Sequence, residues 1–342
     1  MVLYRVFVFY FFSPYNMKSR KGRTKIKGKQ TLKKDRKPQT QYEKIAHQLQ
    51  SYSTDDLLRE YQKLRQMKCT QALKANGRTR LGNKIVDAFT LVERLHTKGH
   101  QNVSFYEFWQ KRKQYVKKPY VKKMVDFYKN RNVSDVQKFK YIYNLYFSSI
   151  AIFRPVMAME VYCRVNAKRV LDFTMGWGGR LVGACALNLD AYIGIDANRN
   201  LIAPYGDLRQ FLEKDQSNDS SKTDITLLFQ DALTVDYSRF DYDTVFTSPP
   251  YYNLEKYRNT VENKYKTKEE WNRDFYGPLF RKTWTHLRSN GHYCINVPVE
   301  IYENACVPIL GKSQQKILLK KGKRNPKQAT EYSEYIYVWK KK

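Results

Sequence analysis

Hydrophobic residues recur at two different periods along the chain, and the period changes near residue 150. Between residues 41 and 147 they follow the spacing of amphipathic helices. A cap-like Thr54 before apolar positions predicts the start of one such helix. A second helix is predicted by the apolar stripe of Ile85, Phe89, Leu91, Val92 and Leu95. Phe105, Phe108 and Trp109 follow as a compact aromatic cluster, so this half is predicted to be an α-helical module.

Beyond residue 153, short apolar runs replace the helical stripes. They lie at residues 169–172, 191–195, 224–229 and 243–247, and each ends at a polar or Gly-rich turn. Strands that are buried on both faces have this pattern, and their alternation with helical segments predicts βαβ units and a parallel sheet. Two more strands are predicted at residues 315–320 and 334–339. Residues 321–329 between them contain Gly and Pro, which allows an antiparallel return.

The charge of the chain indicates a class of partner. Its 342 residues include 63 Lys and Arg against 32 Asp and Glu, a formal net charge of +31, while 42% of residues are hydrophobic. The apolar share is enough for a sizeable core and excludes wholesale disorder. Repulsion among so many positive charges destabilises a compact chain unless a polyanion neutralises them. Nucleic acid is the expected polyanionic partner. The alternative is a merely basic, soluble surface.

Basic residues concentrate in two segments. Residues 18–37 alternate Lys and Arg with small polar residues and contain one acid, Asp35, so residues 1–40 are predicted to be a disordered arm that meets phosphates. The same residues would serve as a nuclear-import or solubilising tail. Residues 111–140 form a second basic belt with interleaved aromatic residues. One interpretation is that the aromatic residues are core residues beside a solvated lysine face. The other is that the belt binds a phosphate backbone, and both interpretations can hold together.

The cysteines and the N-terminus bear on the compartment. Cys69, Cys163, Cys185, Cys294 and Cys306 are far apart, odd in number and without a CxxC pair, so neither a zinc ribbon nor a disulfide framework is expected. A reducing intracellular compartment, cytoplasm or nucleus, is predicted. The apolar run at residues 2–12 is too short to span a membrane, so no membrane partner is expected. Translation from Met17 is an alternative start.

Three carboxylates follow successive predicted strands. Asp172 ends the first and leads into a glycine loop that contains Gly176 and Gly178. Asp196 ends the second strand, and Asp231 follows the third. Open parallel sheets bind ligands beyond the carboxyl ends of their strands, so these acids are expected to converge on one pocket. The loop matches neither a dinucleotide GxGxxG nor a phosphate-binding GxxxxGK[ST], and Asp172 suits a ligand with an ammonium group.

The sequence Ser248-Pro249-Pro250-Tyr251 follows the fourth strand. Consecutive prolines cannot continue a central strand, so the chain leaves the sheet in a stiff turn. That turn presents the Ser248 side chain and the Pro249 carbonyl as fixed acceptors, with Tyr251 as a flat face. This set suits a planar base with an exocyclic amino group, since two acceptors hold the amine while an aromatic ring stacks on the base.

Together these motifs resemble the S-adenosylmethionine-dependent DNA amino-methyltransferases. Asp-Phe-Thr-Met-Gly-Trp-Gly-Gly at residues 172–179 is similar to their cofactor loop, with departures at Phe173 and Trp177, and Ser-Pro-Pro-Tyr at residues 248–251 is similar to their catalytic motif. The resemblance runs from about Phe153 to Trp339. It includes Phe-Arg-Pro at 153–155 and a fifth strand at 291–297. The composition, rich in Lys, Tyr and Asn, resembles that of methylases from large DNA viruses, which adds a viral replication site to the expected compartments.

The resemblance implies a Rossmann-like methyltransferase fold of class α/β, mostly parallel with a C-terminal antiparallel hairpin, preceded by an α-helical module. The implied domains are a basic arm at 1–40, a nucleic-acid-binding or target-recognition module at 41–150 and a methyltransferase domain at 151–342. Segment 253–268 would share target recognition.

The implied cofactor is S-adenosylmethionine, the implied partner is DNA, and no metal is required. The implied roles are Asp172, Thr174, Gly176 and Gly178 at the methionine end, Asp196 at the ribose, Asp231 at the adenine, Ser248, Pro249 and Pro250 at the target amine, and Tyr251 on the flipped base.

The expected activity is methyl transfer to the N4 amine of cytosine or the N6 amine of adenine in DNA. Ser before Pro-Pro tilts the family resemblance slightly toward cytosine. Carbon-5 methylation of cytosine is disfavoured, because none of the five cysteines follows a proline. Two alternatives stay open, an RNA amino-methyltransferase and a nucleic-acid-binding protein with a decayed cofactor pocket. The recognition sequence, the oligomeric state and a restriction partner are left open.

Overall fold

The computed structural model describes residues 40–75, 79–147, 150–215, 222–258, 264–319 and 334–342. The arm at 1–39 and the connection at 321–329 lie outside the described residues. The described residues form a seven-stranded sheet. Its strands are β1 (Arg169–Asp172), β2 (Ala191–Ile195), β3 (Asp224–Leu228), β4 (Thr244–Thr247), β5 (His292–Val297), β6 (Gln315–Leu319) and β7 (Glu334–Lys340).

The strand order is β3–β2–β1–β4–β5–β7–β6, and β7 runs antiparallel to both of its neighbours. The predicted α/β fold, a mostly parallel sheet with a C-terminal antiparallel hairpin preceded by helices, is therefore confirmed. Successive strands proceed outward from β1 to β3, and the chain then returns to place β4 on the other side of β1. This reversal opens a crevice at the carboxyl ends of β1 and β4, where such sheets bind ligands.

The described residues before 150 contain eight helices. They are α1 (Gln41–Leu49), α2 (Thr54–Arg65), α3 (Cys69–Lys74), α4 (Asn83–His96), α5 (Phe105–Gln110), α6 (Arg112–Tyr115), α7 (Pro119–Tyr128) and α8 (Asp135–Tyr146). The prediction of Thr54 as a cap was wrong by one residue. The cap of α2 is Ser53, whose hydroxyl accepts a hydrogen bond from the Asp56 backbone N–H at 3.1 Å, while the Asp56 carboxylate accepts from the Ser53 N–H at 3.2 Å.

The described residues beyond 150 contain seven more helices. They are α9 (Pro155–Val165), α10 (Gly179–Ala186), α11 (Ile202–Asp215), α12 (Lys268–Glu270), α13 (Gly277–Thr285), α14 (Val299–Ile301) and α15 (Val307–Leu310). A π-helical turn at Trp271–Tyr276 joins α12 to α13, and another at Tyr302–Cys306 joins α14 to α15. π-helical turns occur often at functional sites, and the first of them reaches the crevice described below.

Helix α4 contributes to two hydrophobic cores. Its Ile85 and Val86 pack in the core that lies on one face of the sheet, together with residues of α2, α9, α10 and α11. Its Leu91 and Leu95 belong to a separate core formed by helices α1, α5, α7 and α8, which also contains the predicted aromatic cluster. The helical half and the sheet half are therefore joined through one continuous helix.

Cys69 and Cys163 form a disulfide with their Cα atoms 5.5 Å apart. The expectation of unpaired cysteines was wrong for this pair. The two residues are 94 positions apart in sequence, and they meet only because the short helix α3 packs against α9. Cys185, Cys294 and Cys306 are buried and keep their thiol groups. Among the described residues, no helix combines the length and the apolar character needed to cross a membrane.

Gly179, the first residue of α10, is predicted to be essential to the packing. A Cβ at this position would lie 1.7 Å from the carbonyl oxygen of Phe153, a backbone atom that cannot move aside. Gly179→Ala should lower the free energy of unfolding by about 3 kcal/mol, measured by chemical denaturation. Gly206→Ala is the matched control, because Gly206 lies in α11 with open space around it and should gain up to about 1 kcal/mol. Equal stability of both variants would contradict the prediction.

Candidate functional site

An open cavity of about 850 Å³ lies at the carboxyl edge of the sheet. It is the crevice that the strand order predicts. Six of the ten residues expected at the site from the sequence line it, namely Thr174, Gly176, Asp196, Asp231, Ser248 and Pro250. Asp172, Gly178, Pro249 and Tyr251 lie next to lining residues in the chain, but they are not part of its wall. The structure thus brings the cofactor-loop and the Ser-Pro-Pro segments to one space.

The glycine loop between β1 and α10 is held against the end of β2. The Gly176 backbone N–H donates to the Asp196 carboxylate at 2.8 Å, and the Met175 N–H donates to the Ile195 carbonyl at 2.8 Å. Gly178 has a φ of +89°, and a Cβ there would lie 2.8 Å from a methyl group of Leu208. A side chain at Gly178 would therefore be both strained and too close to α11.

Asp172 lies beneath this loop, fully buried, with its carboxylate surrounded by donors. Arg180 makes a bidentate ion pair with it at 2.6 and 3.1 Å, Tyr192 donates to it at 2.6 Å, and Thr247 donates at 2.9 Å. Burial alone would lower the pKa of Arg180, but the Asp172 carboxylate raises it above its usual value. Arg180 also donates to the Thr174 carbonyl, so the ion pair fixes the loop from below. A direct contact between Asp172 and a cofactor stays a prediction.

Asp196 combines loop support with an exposed edge in the cavity. Its carboxylate accepts from the backbone N–H groups of Gly176 and Asn198, at 2.8 and 2.9 Å. Burial raises the pKa of Asp196 to about 6, although these two hydrogen bonds oppose the shift. The carboxylate therefore loses its charge just below neutral pH, and only its charged form keeps a further lone pair on both oxygens for ligand hydroxyls.

Asp231 is the second carboxylate of the cavity wall. One of its oxygens accepts from the Leu233 backbone N–H at 2.9 Å, and the other lies 4.0 Å from the Lys264 ammonium. Beside it stands an aromatic wall of Tyr265, Trp271 and Phe275, whose ring centroids are 4.9 to 6.0 Å apart. The buried indole N–H of Trp271 has no hydrogen-bond partner among the described residues. This end of the cavity suits a flat, polar-edged ring.

Ser248 belongs to a hydrogen-bonded group with two other side chains. Its hydroxyl donates to the Asn296 amide oxygen at 3.3 Å and lies 3.2 Å from the Tyr251 hydroxyl. The Tyr251 hydroxyl donates to the same amide oxygen at 3.0 Å. The Asn296 NH2 group donates to the Tyr335 carbonyl at 3.1 Å, which fixes the amide orientation. Because the Ser248 proton points to Asn296, the serine lone pairs are free to accept from a substrate amine.

Tyr276 anchors the segment that follows Ser248. This residue is fully buried at the end of the π-helical turn, and its hydroxyl donates to the Pro250 carbonyl. The same hydroxyl accepts from the Tyr252 backbone N–H at 3.2 Å. Tyr252 has a φ of +53°, an unfavourable value for a non-glycine residue, and this hydrogen bond helps to hold it. Hydrogen bonds therefore hold the Ser-Pro-Pro turn at its start, through Ser248, and at its end, through Pro250 and Tyr252.

Helix α4 supplies a further side of the site. The Glu93 carboxylate is 4% exposed, forms an ion pair with Arg258 and accepts from the Asn198 side chain at 3.2 Å. Lys98 and Lys256 exchange two backbone hydrogen bonds at 2.9 and 2.8 Å. Glu93 thus ties residues 251–258, which follow the Ser-Pro-Pro turn, to the loop after Asp196.

Sequence reasoning missed several of these residues. Asn296 and Tyr276 carry no motif of their own, and Glu93 is one acid on an amphipathic helix. Thr247 had a signal, since it directly precedes Ser248 at a strand end and bonds both Asp172 and Thr174, the latter at 2.6 Å. In the described part of the chain, no cluster of three or more His, Cys, Asp or Glu side chains could hold a metal ion.

Comparisons with known proteins give structural likenesses at low identity. No protein-family model and no curated protein matches the chain. Similar solved structures include TrmN from Thermus thermophilus, at 18% identity and a TM-score of 0.38, covering 55% of this chain and 49% of TrmN. An rRNA methylase from Streptococcus thermophilus has 14% identity and a TM-score of 0.34, covering 56% and 99%. A precorrin-6y C5,15-methyltransferase from Geobacter metallireducens has 14% identity and a TM-score of 0.38, covering 57% and 92%.

This chain therefore spans about half the length of TrmN.

Binding of S-adenosylmethionine, the cofactor that the sequence resemblance implies, is predicted to depend on pH through Asp196. The carboxylate is charged above its pKa of about 6 and is protonated below it, so affinity should fall as the pH is lowered from 7.5 to 5.5. Isothermal titration calorimetry across this range measures the effect. Asp196→Asn should bind more weakly and with little pH dependence. A wild-type affinity that stays constant over the range would exclude a role for the charged carboxylate.

The Glu93–Arg258 ion pair is predicted to stabilise the fold cooperatively. Arg258→Met leaves the Glu93 carboxylate buried without its cation and should cost about 1–2 kcal/mol, since the arginine side chain is 43% exposed. The double variant with Glu93→Gln should cost less than the sum of the two single changes. Denaturant unfolding of the four proteins measures this coupling. The exposed Arg209–Glu213 pair is the control, and its removal should cost at most about 0.5 kcal/mol.

Proposed function

We propose that this protein is an S-adenosylmethionine-dependent methyltransferase that acts on an exocyclic amino group of cytosine or adenine in DNA. The observation that carries the proposal is the meeting of two segments at one cavity. Ser248 and Pro250 lie in the same wall as Gly176, Asp196 and Asp231. Ser248, the proposed acceptor for the target amine, therefore lines the same cavity as the residues proposed to bind the nucleoside of the cofactor.

The residues of the cavity fit S-adenosylmethionine by their chemistry. Asp196 offers a carboxylate to ribose hydroxyls, and Asp231 offers another to an adenine amino group. The aromatic wall of Tyr265, Trp271 and Phe275 offers a flat apolar surface to the adenine ring. When bound, the cofactor supplies an electrophilic methyl group on a sulfonium centre. The glycine loop leaves room for its methionine end, with Thr174 and Gly176 in the wall.

The chain would promote methyl transfer by holding the target amine. An aryl amine is a poor nucleophile because its lone pair is delocalised into the ring. The Ser248 hydroxyl, with its own proton donated to Asn296, and the Pro249 carbonyl would each accept one amine hydrogen. These two hydrogen bonds favour a pyramidal nitrogen whose lone pair points at the methyl group, and they offset the positive charge that develops on nitrogen.

Nucleic acid as the substrate is supported by charge and by the helical half. The net charge of +31 suits a polyanion. We propose that residues 41–150 form the nucleic-acid-binding or target-recognition module, that residues 151–342 form the methyltransferase domain, and that residues 1–40 add phosphate contacts. Residues 253–258 and 264–268, beside the Ser-Pro-Pro turn, would share target recognition. The proposed compartment is the cytoplasm, the nucleus or a viral replication site, and the Cys69–Cys163 disulfide does not count in favour of a reducing one.

Mass spectrometry of nucleosides tests the activity. The full chain is incubated with S-adenosylmethionine and a mixture of DNA and RNA, and the polymers are then digested separately. N4-methylcytosine or N6-methyladenine in the DNA is the expected product. Methylated nucleosides only in the RNA would favour the RNA amino-methyltransferase, and tight polymer binding with no product would favour a binding protein.

Ser248→Ala is predicted to lower kcat by about 100-fold, because one of the two acceptors for the amine is lost. The dissociation constant for S-adenosylmethionine should change little, since Ser248 acts on the amine. Steady-state methyl transfer and calorimetry measure the two quantities. Ser238→Ala is the matched control, because Ser238 lies in an exposed turn where it bonds Asp236. A wild-type rate for Ser248→Ala would remove Ser248 from the mechanism.

A further inference from the structure

Large apolar side chains are exposed on the outer surface of α7 and α8. Tyr120 is 40% exposed, Phe127 53% and Tyr141 46%, and we refer to these three residues as the aromatic face. Partly exposed rings of this size leave apolar surface in contact with water, and covering that surface with a partner is favourable. Their position on two neighbouring helices indicates a surface for a partner.

The rings of the aromatic face are held in place by their neighbours. Tyr120 packs on Tyr146 with ring centroids 4.8 Å apart, and Tyr141 packs on Tyr128 at 5.6 Å. The guanidinium of Arg131 lies 4.1 Å from the centre of the Phe127 ring. These contacts restrict the rotation of the rings before any partner arrives, which reduces the entropic cost of binding.

The surroundings of the aromatic face are strongly basic. Residues 111–140 contain eleven Lys and Arg against two acids, Asp126 and Asp135. Asp135 is already paired with Lys138 at 2.8 Å. In the described part of the chain, the exposed cations Lys117, Lys122, Lys123 and Lys129 have no acidic partner. Charge complementarity therefore favours a polyanion on this surface.

Aromatic rings and cations together distinguish between forms of nucleic acid. A duplex offers its phosphates outward and keeps its bases stacked inside, so exposed rings on a helix surface would gain little from its backbone. An unpaired strand offers both phosphates to lysines and base faces to aromatic rings. The mixture on α7 and α8 therefore favours unpaired nucleotides.

We infer that the aromatic face and the cations around it bind an unpaired segment of the nucleic acid substrate, with bases stacked on Phe127, Tyr120 and Tyr141. The inference rests on the proposed function in taking nucleic acid as the substrate. It adds a binding surface outside the cavity. A strand held unpaired there would also present its target base without the cost of breaking a base pair.

Fluorescence anisotropy with the full chain tests the inference without cofactor and without turnover. The probes are a single strand of about 16 nucleotides, an abasic strand of the same length and the corresponding duplex. The single strand should bind about tenfold more tightly than the abasic strand, and more tightly than the duplex. Equal affinity for the base-bearing and abasic strands, or a preference for the duplex, would overturn the inference.

Two double variants separate stacking from charge. Phe127→Ala with Tyr141→Ala should weaken binding to the base-bearing strand about tenfold and leave binding to the abasic strand unchanged. Lys122→Ala with Lys123→Ala should weaken both and reduce the slope of log affinity against log salt by about 1.4. Phe127→Trp should bind like the wild type.

The matched controls lie elsewhere on the surface. Leu318 is 47% exposed on β6, and Lys312 is exposed before it, so Leu318→Ala and Lys312→Ala should bind all three probes like the wild type. An unchanged affinity of the Phe127→Ala, Tyr141→Ala variant for the base-bearing strand would contradict the inference. Methyl transfer and cofactor binding are measured separately, so such a result would leave the proposed activity standing.

Discussion

A buried ion pair between Asp172 and Arg180 fixes the point where the sheet, the glycine loop and the first helix after it meet. Two charges without access to water are costly, and here the cost is offset because every Asp172 oxygen accepts a hydrogen bond. Removing one partner would leave the other charged and buried. Thr247 donates to this carboxylate and directly precedes Ser248. The same ion pair therefore supports both the cofactor loop and the start of the Ser-Pro-Pro turn.

Helix α4 extends this support to the helical half of the chain. Its first turns pack on the sheet core and its later turns on the helical core. Between them, the Thr90 hydroxyl donates to the Val86 carbonyl at 2.8 Å and lies 3.3 Å from the Trp177 carbonyl, and Glu93 bonds Asn198 and Arg258. The glycine loop, the loop after Asp196 and the segment after the Ser-Pro-Pro turn therefore all contact one helix.

The strands and the convergence of Asp196, Asp231 and Ser248 could be predicted because they depend on local patterns. A run of apolar residues specifies a buried strand, and parallel strands place their carboxyl ends at one edge. The partners of these residues could not be predicted in this way. Asn296 meets Ser248 across 48 positions and Cys69 meets Cys163 across 94, so both contacts depend on how distant elements pack. Asp172 shows the same limit, since its position was predicted but its partner Arg180 was not.

The chemistry proposed at Ser248 requires more precision than the Ser-Pro-Pro sequence alone supplies. A hydroxyl accepts from an amine only if its own proton is directed elsewhere, and Asn296 provides that direction through an amide fixed by the Tyr335 carbonyl on β7. The antiparallel pairing of β5 and β7 places that carbonyl there. The C-terminal hairpin therefore helps to direct the hydroxyl proton of Ser248 toward Asn296. Preorganisation of this kind depends on rigid elements, and here the support comes from two hydrogen-bonded strands, β5 and β7.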